Sequence, residues 1–363
     1  MLALAARADA AVYWANINAG TIGRANLDGS GVTQALISGA DQPVGLAVDD
    51  AHVYWANFGN NTIGRANLDG SGVDQSFITS PAVIRGLALD DEHVYWTTPF
   101  ANRIARANLD GSGVSPSFIV GANGPADVTV DEAHVYWSNL DTKTIGRANL
   151  DGSGPSQSFI IGVGEPVGMA VDGAHAYWTQ TMANRIGRAD RDGSGVNTSF
   201  ITGANEPVQI AVSDHVYWTN FGADTVARAE LDGSRANQGF IEGANGPSGV
   251  AVDGLPGSAA AKRGQGQRGN RIQVRVKVTA DDDLTARLRG RVRVNPTYGL
   301  KRKTVMIRGG RTKTLKLKPR RNAAKRISRA LKQGYKPVSR VNVKLTDVNG
   351  NDASEKLKVK LKR

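Results

Sequence analysis

All six tryptophans of the 363-residue chain fall on one beat, at Trp14, Trp55, Trp96, Trp137, Trp178 and Trp218, spaced 41, 41, 41, 41 and 40 residues apart. Each follows a tyrosine, and Asp-Gly-Ser recurs in the same phase at Asp28, Asp69, Asp110, Asp151, Asp192 and Asp232. A fixed period of roughly 40–45 residues, with one aromatic pair and one turn per unit, is the pattern of an array of four-stranded blades.

One unit can be read from Pro43. Pro43-Val-Gly-Leu-Ala-Val48 is short and apolar, Val53-Tyr-Trp-Ala56 aromatic and β-branched. Thr62-Ile-Gly-Arg-Ala-Asn67 and Gln75-Ser-Phe-Ile-Thr79 follow, separated by Leu68-Asp-Gly-Ser-Gly72. Asp-Gly supplies the positive φ of a tight hairpin. No segment here has a helical period. The expected fold class is therefore all-β: a six-bladed β-propeller over residues 11–253, built from four-stranded blades. The repeat begins on its second strand, Ala11-Val-Tyr-Trp14, and ends on its first, Pro247-Ser-Gly-Val-Ala-Val252. Residues 247–252 are thus expected to pair with 11–15 and lock the ring, removing the edges of an open array. Leu2-Ala-Leu-Ala-Ala6 is the rival for that inner place. Otherwise residues 1–10 read as the tail of a leader without its basic start and full apolar core. That favours an extracellular or cell-envelope protein whose signal peptide is missing from the chain as given.

Tyr-Trp followed by Thr or Ala, the Arg-Ala-Asn-Leu-Asp-Gly-Ser run and the Leu-Ala-Val-Asp that comes next resemble low-density-lipoprotein-receptor class B repeats, the YWTD propellers. The resemblance covers residues 11–253 and implies a six-bladed propeller that binds other proteins outside the cell. The family's motif Asp is replaced by Asn57, Thr98, Asn139, Gln180 and Asn220, so neutral side chains must make its inter-blade hydrogen bonds or lose them.

A residue present in every blade serves the blade. All five histidines, His52, His93, His134, His175 and His215, occupy one repeat position and cannot converge on one metal or substrate. The exceptions are the candidates. Val44, Ala126, Val167, Val208 and Ser248 correspond to Arg85, and one step further Gly45, Gly86, Gly168 and Gly249 correspond to Asp127 and Gln209. Arg85, Asp127 and Gln209 are polar groups at the entrance of the inner strand, which lines the central channel, and form a candidate ligand site. The alternative is drift at a solvated position. The loop after the aromatic strand carries Ile17, Phe58, Phe100, Leu140, Met182 and Phe221. Exposed, they are a ring of binding anchors; tucked between blades, they are packing.

Charge divides the chain. Residues 1–257 hold 13 Lys+Arg and 27 Asp+Glu; residues 258–363 hold 32 and 6, a net +26. Such opposition marks two domains with different tasks. Residues 254–270 read as a Gly/Ala linker. Over 271–363, period-two alternation at Ile272, Val274, Val276 and Val278, and again at Leu357, Val359 and Leu361, predicts a β-sandwich. One short helix is expected over 322–333, and a turn at Asp347-Val-Asn-Gly-Asn351. The Lys-Leu-Lys-Leu strand, Ala-rich helix, Asp-x-x-Gly-Asn turn and terminal Val-x-Leu-Lys-Arg resemble the immunoglobulin-like modules that end many secreted actinobacterial proteins. The basic module is expected to attract anionic envelope polymers. Its charges spread over every element, and only Tyr298 and Tyr335 are aromatic, which disfavours nucleic acid.

The absence of cysteine excludes disulfides, thiolate metal sites and a cysteine nucleophile. No apolar run reaches the roughly 20 residues of a membrane span. The expectation is a monomeric binding protein for a protein or glycan ligand, with no cofactor, no metal and no catalytic residue. The alternative is a metal-dependent enzyme like the streptogramin lyases and lactonases, with Asp127 and Glu165 or Glu206 as oxygen ligands at the channel mouth.

Overall fold

The structure, a computed structural model, describes residues 10–253 except 50, 91 and 132, and beyond them the backbone of strands between 259 and 362. The chain divides into two compact units, Met1–Gly254 and Leu255–Arg363.

The first unit is six antiparallel four-stranded sheets. Blade 1 contains Pro247–Val252, Ala11–Asn16, Thr21–Asn26 and Thr33–Ser38, in that order from the channel outward. The chain ends therefore share a sheet. Val12 lies opposite Val252 and Trp14 opposite Val250, which closes the ring as expected. Leu2 to Ala6, the rival inner strand, lies outside the described residues, and its place is filled. Blades 2 to 6 span residues 43–79, 87–120, 125–160, 169–202 and 207–241.

The repeat supplies the core. The six tryptophans and their six tyrosines are the largest fully buried side chains. Trp137 sits opposite Gly146 on the third strand, where a Cβ would lie 2.1 Å from the indole. Gly23, Gly64 and Gly187 make the same room, so the glycine is a packing requirement in four blades. Ala105 and Ala227 hold the position in blades 3 and 6. A buried indole N–H needs an acceptor. Gln34, Gln75 and Gln157 provide it at 2.9–3.1 Å in blades 1, 2 and 4.

Most blades carry one repeated cluster at the rim. The Tyr95 hydroxyl donates to Asp90 at 2.8 Å, and Tyr136 and Tyr177 do the same to Asp131 and Asp172 at 2.9 Å. Burial and the Asp charge push the Tyr54 hydroxyl up to about 12. The third-strand arginine lies over the fourth-strand phenylalanine in five blades, 3.6–4.0 Å from the ring centre. Each of the five histidines packs edge-on against its tyrosine at 5.9–6.0 Å. The histidines are thus part of the blade, distributed around the ring.

The substitution of the family's Asp costs no contact in four blades. Asn57 accepts from the Asp41 backbone and donates to the Gln75 carbonyl, tying the connection from blade 1 into blade 2. Asn139 and Asn220 repeat the arrangement. Asn16 makes it with Asn245, across the closure. An amide can donate and accept at once, which an ionised carboxylate cannot.

In the second unit, Val274–Ala280 pairs with Arg311–Leu317, and Leu284–Arg293 pairs with Val338–Asp347, which pairs with Asp352–Lys362. The predicted helix at 322–333, most of the linker and the turn after Asp347 lie outside the described residues. Among the described residues no helix is long and apolar enough to cross a membrane.

Candidate functional site

Six inner strands converge at the channel, and the repeat position that is usually glycine sits where they crowd. A Cβ on Gly86 would lie 2.3 Å from the Asp127 carboxylate; one on Gly249 would lie 2.4 Å from the Val44 carbonyl. Gly86 and Gly249 thereby leave room for the Asp127 and Gln209 side chains, while Gly45 and Gly168 make way for the next blade's backbone. Above them opens a cavity of about 250 Å3 lined by all six blades. Its walls are mostly apolar, from Val44, Ala126, Val167, Val208, Ile17 and Phe221. Arg85, Asp127 and Gln209 all line it, as the sequence placed them.

Their roles differ. Asp127 is buried. Its two oxygens accept from the Val128 and Met169 backbones at 2.9 and 2.8 Å, and the Gln209 amide lies 3.4 Å from both. The Gln209 oxygen accepts in turn from Val250 at 2.8 Å and Leu46 at 3.3 Å. The pair is a strut with hydrogen bonds reaching blades 4, 5, 6, 1 and 2. Burial pushes the Asp127 carboxyl up to about 7, against the pull of those hydrogen bonds and of Arg85. Arg85 belongs to blade 3, the one blade the strut does not hydrogen-bond. It is half-buried, and burial lowers its basicity while the Asp127 charge restores part of it.

A ring of hydroxyls stitches the inner strands around this centre, and the sequence reading passed over it. Thr97, Ser138 and Thr179 each accept from their own inner strand and donate to the next blade's carbonyl, at Ala126, Val167 and Val208. Blade 1 has Ala15 at that position, and Ser248 supplies the missing hydroxyl to the Pro43 carbonyl at 2.6 Å.

The apolar loop residues do not form one ring. Ile17, Phe58, Leu140 and Phe221 stand three residues after their tryptophan; Phe100 and Met182 stand four after. The first set is less exposed: Ile17 and Phe221 line the cavity, Phe221 still 38% exposed, and Phe58 and Leu140 are half-buried. The second set projects, with Phe100 82% and Met182 83% exposed. Val120 and Ile161, 58% and 67% exposed, end the outer strands of blades 3 and 4 at the same loop face. The other blades carry Ser38, Thr79, Thr202 and Glu242 there. That departure from the repeat was visible in the sequence and marks an apolar arc over blades 3 to 5.

The residues of the metal alternative are not brought together. Glu165 is half-buried and paired with Lys143 at 2.8 Å, Glu206 is exposed, and neither lines the cavity with Asp127. Among the described residues no group of three or more His, Cys, Asp or Glu is placed to hold one ion.

The propeller has counterparts among known structures. It is similar to a chain in a crystal structure of a nidogen/laminin complex, with a TM-score of 0.57 and 21% identity over 67% of this chain and 98% of that one. It is also similar to a streptogramin B lyase, with a TM-score of 0.50 and 19% identity over 66% and 83%. What is shared is the β-propeller fold. No family model and no curated protein matches the chain. One neighbour comes from a complex of two proteins and the other is an enzyme, so the site has to decide between their modes of action.

Proposed function

We propose that the propeller is a non-enzymatic binding module that docks a protein partner on its channel-mouth face. The observation that carries this is the arc of Phe100, Val120, Ile161 and Met182, which at 58–83% are the most exposed large apolar side chains among the described residues and stand where blades 3 to 5 leave the repeat. Clustered apolar groups on a soluble domain mark interaction surfaces. At Asp127, the polar atoms a catalyst would use are engaged in the strut. The nidogen neighbour, crystallised with laminin, is consistent with a protein partner.

The second unit is proposed to be an immunoglobulin-like sandwich that holds the propeller against a polyanionic surface of the cell envelope, outside the cell. Its backbone register sets Arg287 opposite Lys344, and Arg291 opposite Arg340, which faces Lys358. Residues 258–363 carry a net +26, which a polyanion would neutralise.

The test restores the repeat. A quadruple variant, Phe100→Ser, Val120→Thr, Ile161→Thr and Met182→Ser, is compared with wild type in crosslinking to envelope and secreted fractions. The expected result is loss of a discrete crosslinked species with an unchanged Tm. Retention of the same species by the folded variant would remove the arc from the function.

A further inference from the structure

Of the three polar side chains at the channel mouth, two have their hydrogen-bonding capacity committed. Asp127 accepts from two backbone amides, and the Gln209 oxygen accepts from two more. Arg85 differs. Its backbone N–H bonds to the Thr97 carbonyl at 3.2 Å, but among the described residues no carboxylate lies within ion-pairing distance of the guanidinium. A half-buried cation so placed loses hydration and gains only the Asp127 charge at longer range, which leaves its N–H donors for a ligand that brings them a close acceptor.

We propose that the channel mouth binds a carboxylate group, held by the Arg85 guanidinium with its short apolar stem against Val44, Val167, Val208, Ile17 and Phe221. This deepens the binding-module reading and rests on it.

Three features select this chemistry. The guanidinium presents paired N–H groups matched to the two oxygens of a carboxylate. The cavity, about 250 Å3, is below the roughly 300–1,000 Å3 of drug-sized pockets and suits a side chain or a short aliphatic acid. The single cation opposes one negative charge, while a phosphate dianion would bring a second charge beside the Asp127 carboxyl with no donor to meet it. The strut also fixes the pocket floor: Gln209 and Asp127 are hydrogen-bonded across it before any ligand arrives, so entry demands little reordering. The same carboxylate can come from a free small acid or from an Asp, Glu or C-terminus on the docked partner.

The experiment is saturation-transfer NMR on the full chain in low-chloride buffer, with butyrate and butyramide as probes. A peptide, acetyl-Gly-Glu-Gly-amide, and its Gln counterpart form the second arm. Butyrate is expected to bind in the millimolar range, and butyramide at least tenfold more weakly. Arg85→Gln removes a cation without a close partner and is expected to fold; it should weaken butyrate at least tenfold. Arg85→Lys should keep measurable binding. Butyrate binding stronger than the Glu peptide assigns the site to free acids, and the reverse assigns it to a partner's side chain. Equal binding of acid and amide, no butyrate signal at 50 mM (a ceiling far above the ~1 mM scale of weak ligands), or unchanged binding by Arg85→Gln would overturn the proposal. A crosslinked species lost in the quadruple arc variant alongside any of those results would leave the docking face standing and remove only the carboxylate site.

Discussion

At the rim of the propeller five blades carry the same Arg-over-Phe stack and the same His-on-Tyr contact, within a few tenths of an ångström of one another. At the channel, equivalent positions hold Val, Arg, Ala or Ser, and one step on Gly, Asp or Gln. The rim cluster is built within a single blade, so one solution serves each blade in turn. All six blades meet at the channel, and one pair of side chains there reaches five of them. Repetition suits the first task and exception the second.

The largest effect expected in the blade body comes from Trp137→Ala, which empties a fully buried site. It should cost about 3–5 kcal/mol in denaturant unfolding. A loss below ~1 kcal/mol would mean that the repeated core does not carry the stability.

Asp127 separates channel from rim by pH. Its folded-state value, about 7, lies above its ordinary 3.8. A raised carboxyl binds its proton more tightly in the folded state, so its contribution is fullest below about pH 4, declines as pH rises, and is gone above about pH 7, a span of up to about 4 kcal/mol. Asp127→Asn should flatten the stability profile between pH 4 and 8, whatever its effect on absolute stability. The same slope in variant and wild type would show that Asp127 titrates normally.

Gln209→Ala leaves the Val250 and Leu46 amides without an acceptor and should cost about 2 kcal/mol. Gln75→Ala, which removes a partly exposed acceptor for Trp55, should cost no more than about 1 kcal/mol. Equal losses would erase the difference between a strut shared by five blades and a side chain that joins two. Smaller still is Phe77→Leu, which copies Leu36 of blade 1 and removes the Arg65 stack; about 0.5–1 kcal/mol is expected. Last, Phe100→Ser should change stability by less than about 0.5 kcal/mol, because its side chain is exposed. A large loss there would turn the docking arc back into packing.

The period of the tryptophans, the Asp-Gly turns and the phase of the first and last strands determined the blade, the number of blades and the closure. They could do so because each is local: one strand, one turn, one offset. Arg85, Asp127 and Gln209 were also legible, as departures from a repeat. What they do was not. That Asp127 meets Met169 and Gln209, 42 and 82 residues away, depends on the ring being closed. Arg191 shows the same limit. It stands where other blades have Leu, and only folding brings it to Asp131 of the neighbouring blade. The apolar loop residues looked like one ring because their order along the chain hides a one-residue difference. In the folded loops that single step points Phe221 into the cavity and Phe100 out to solvent. Sequence periodicity determines what every blade must be; which side chain meets which across the channel is decided by three-dimensional convergence, because no local signal records it.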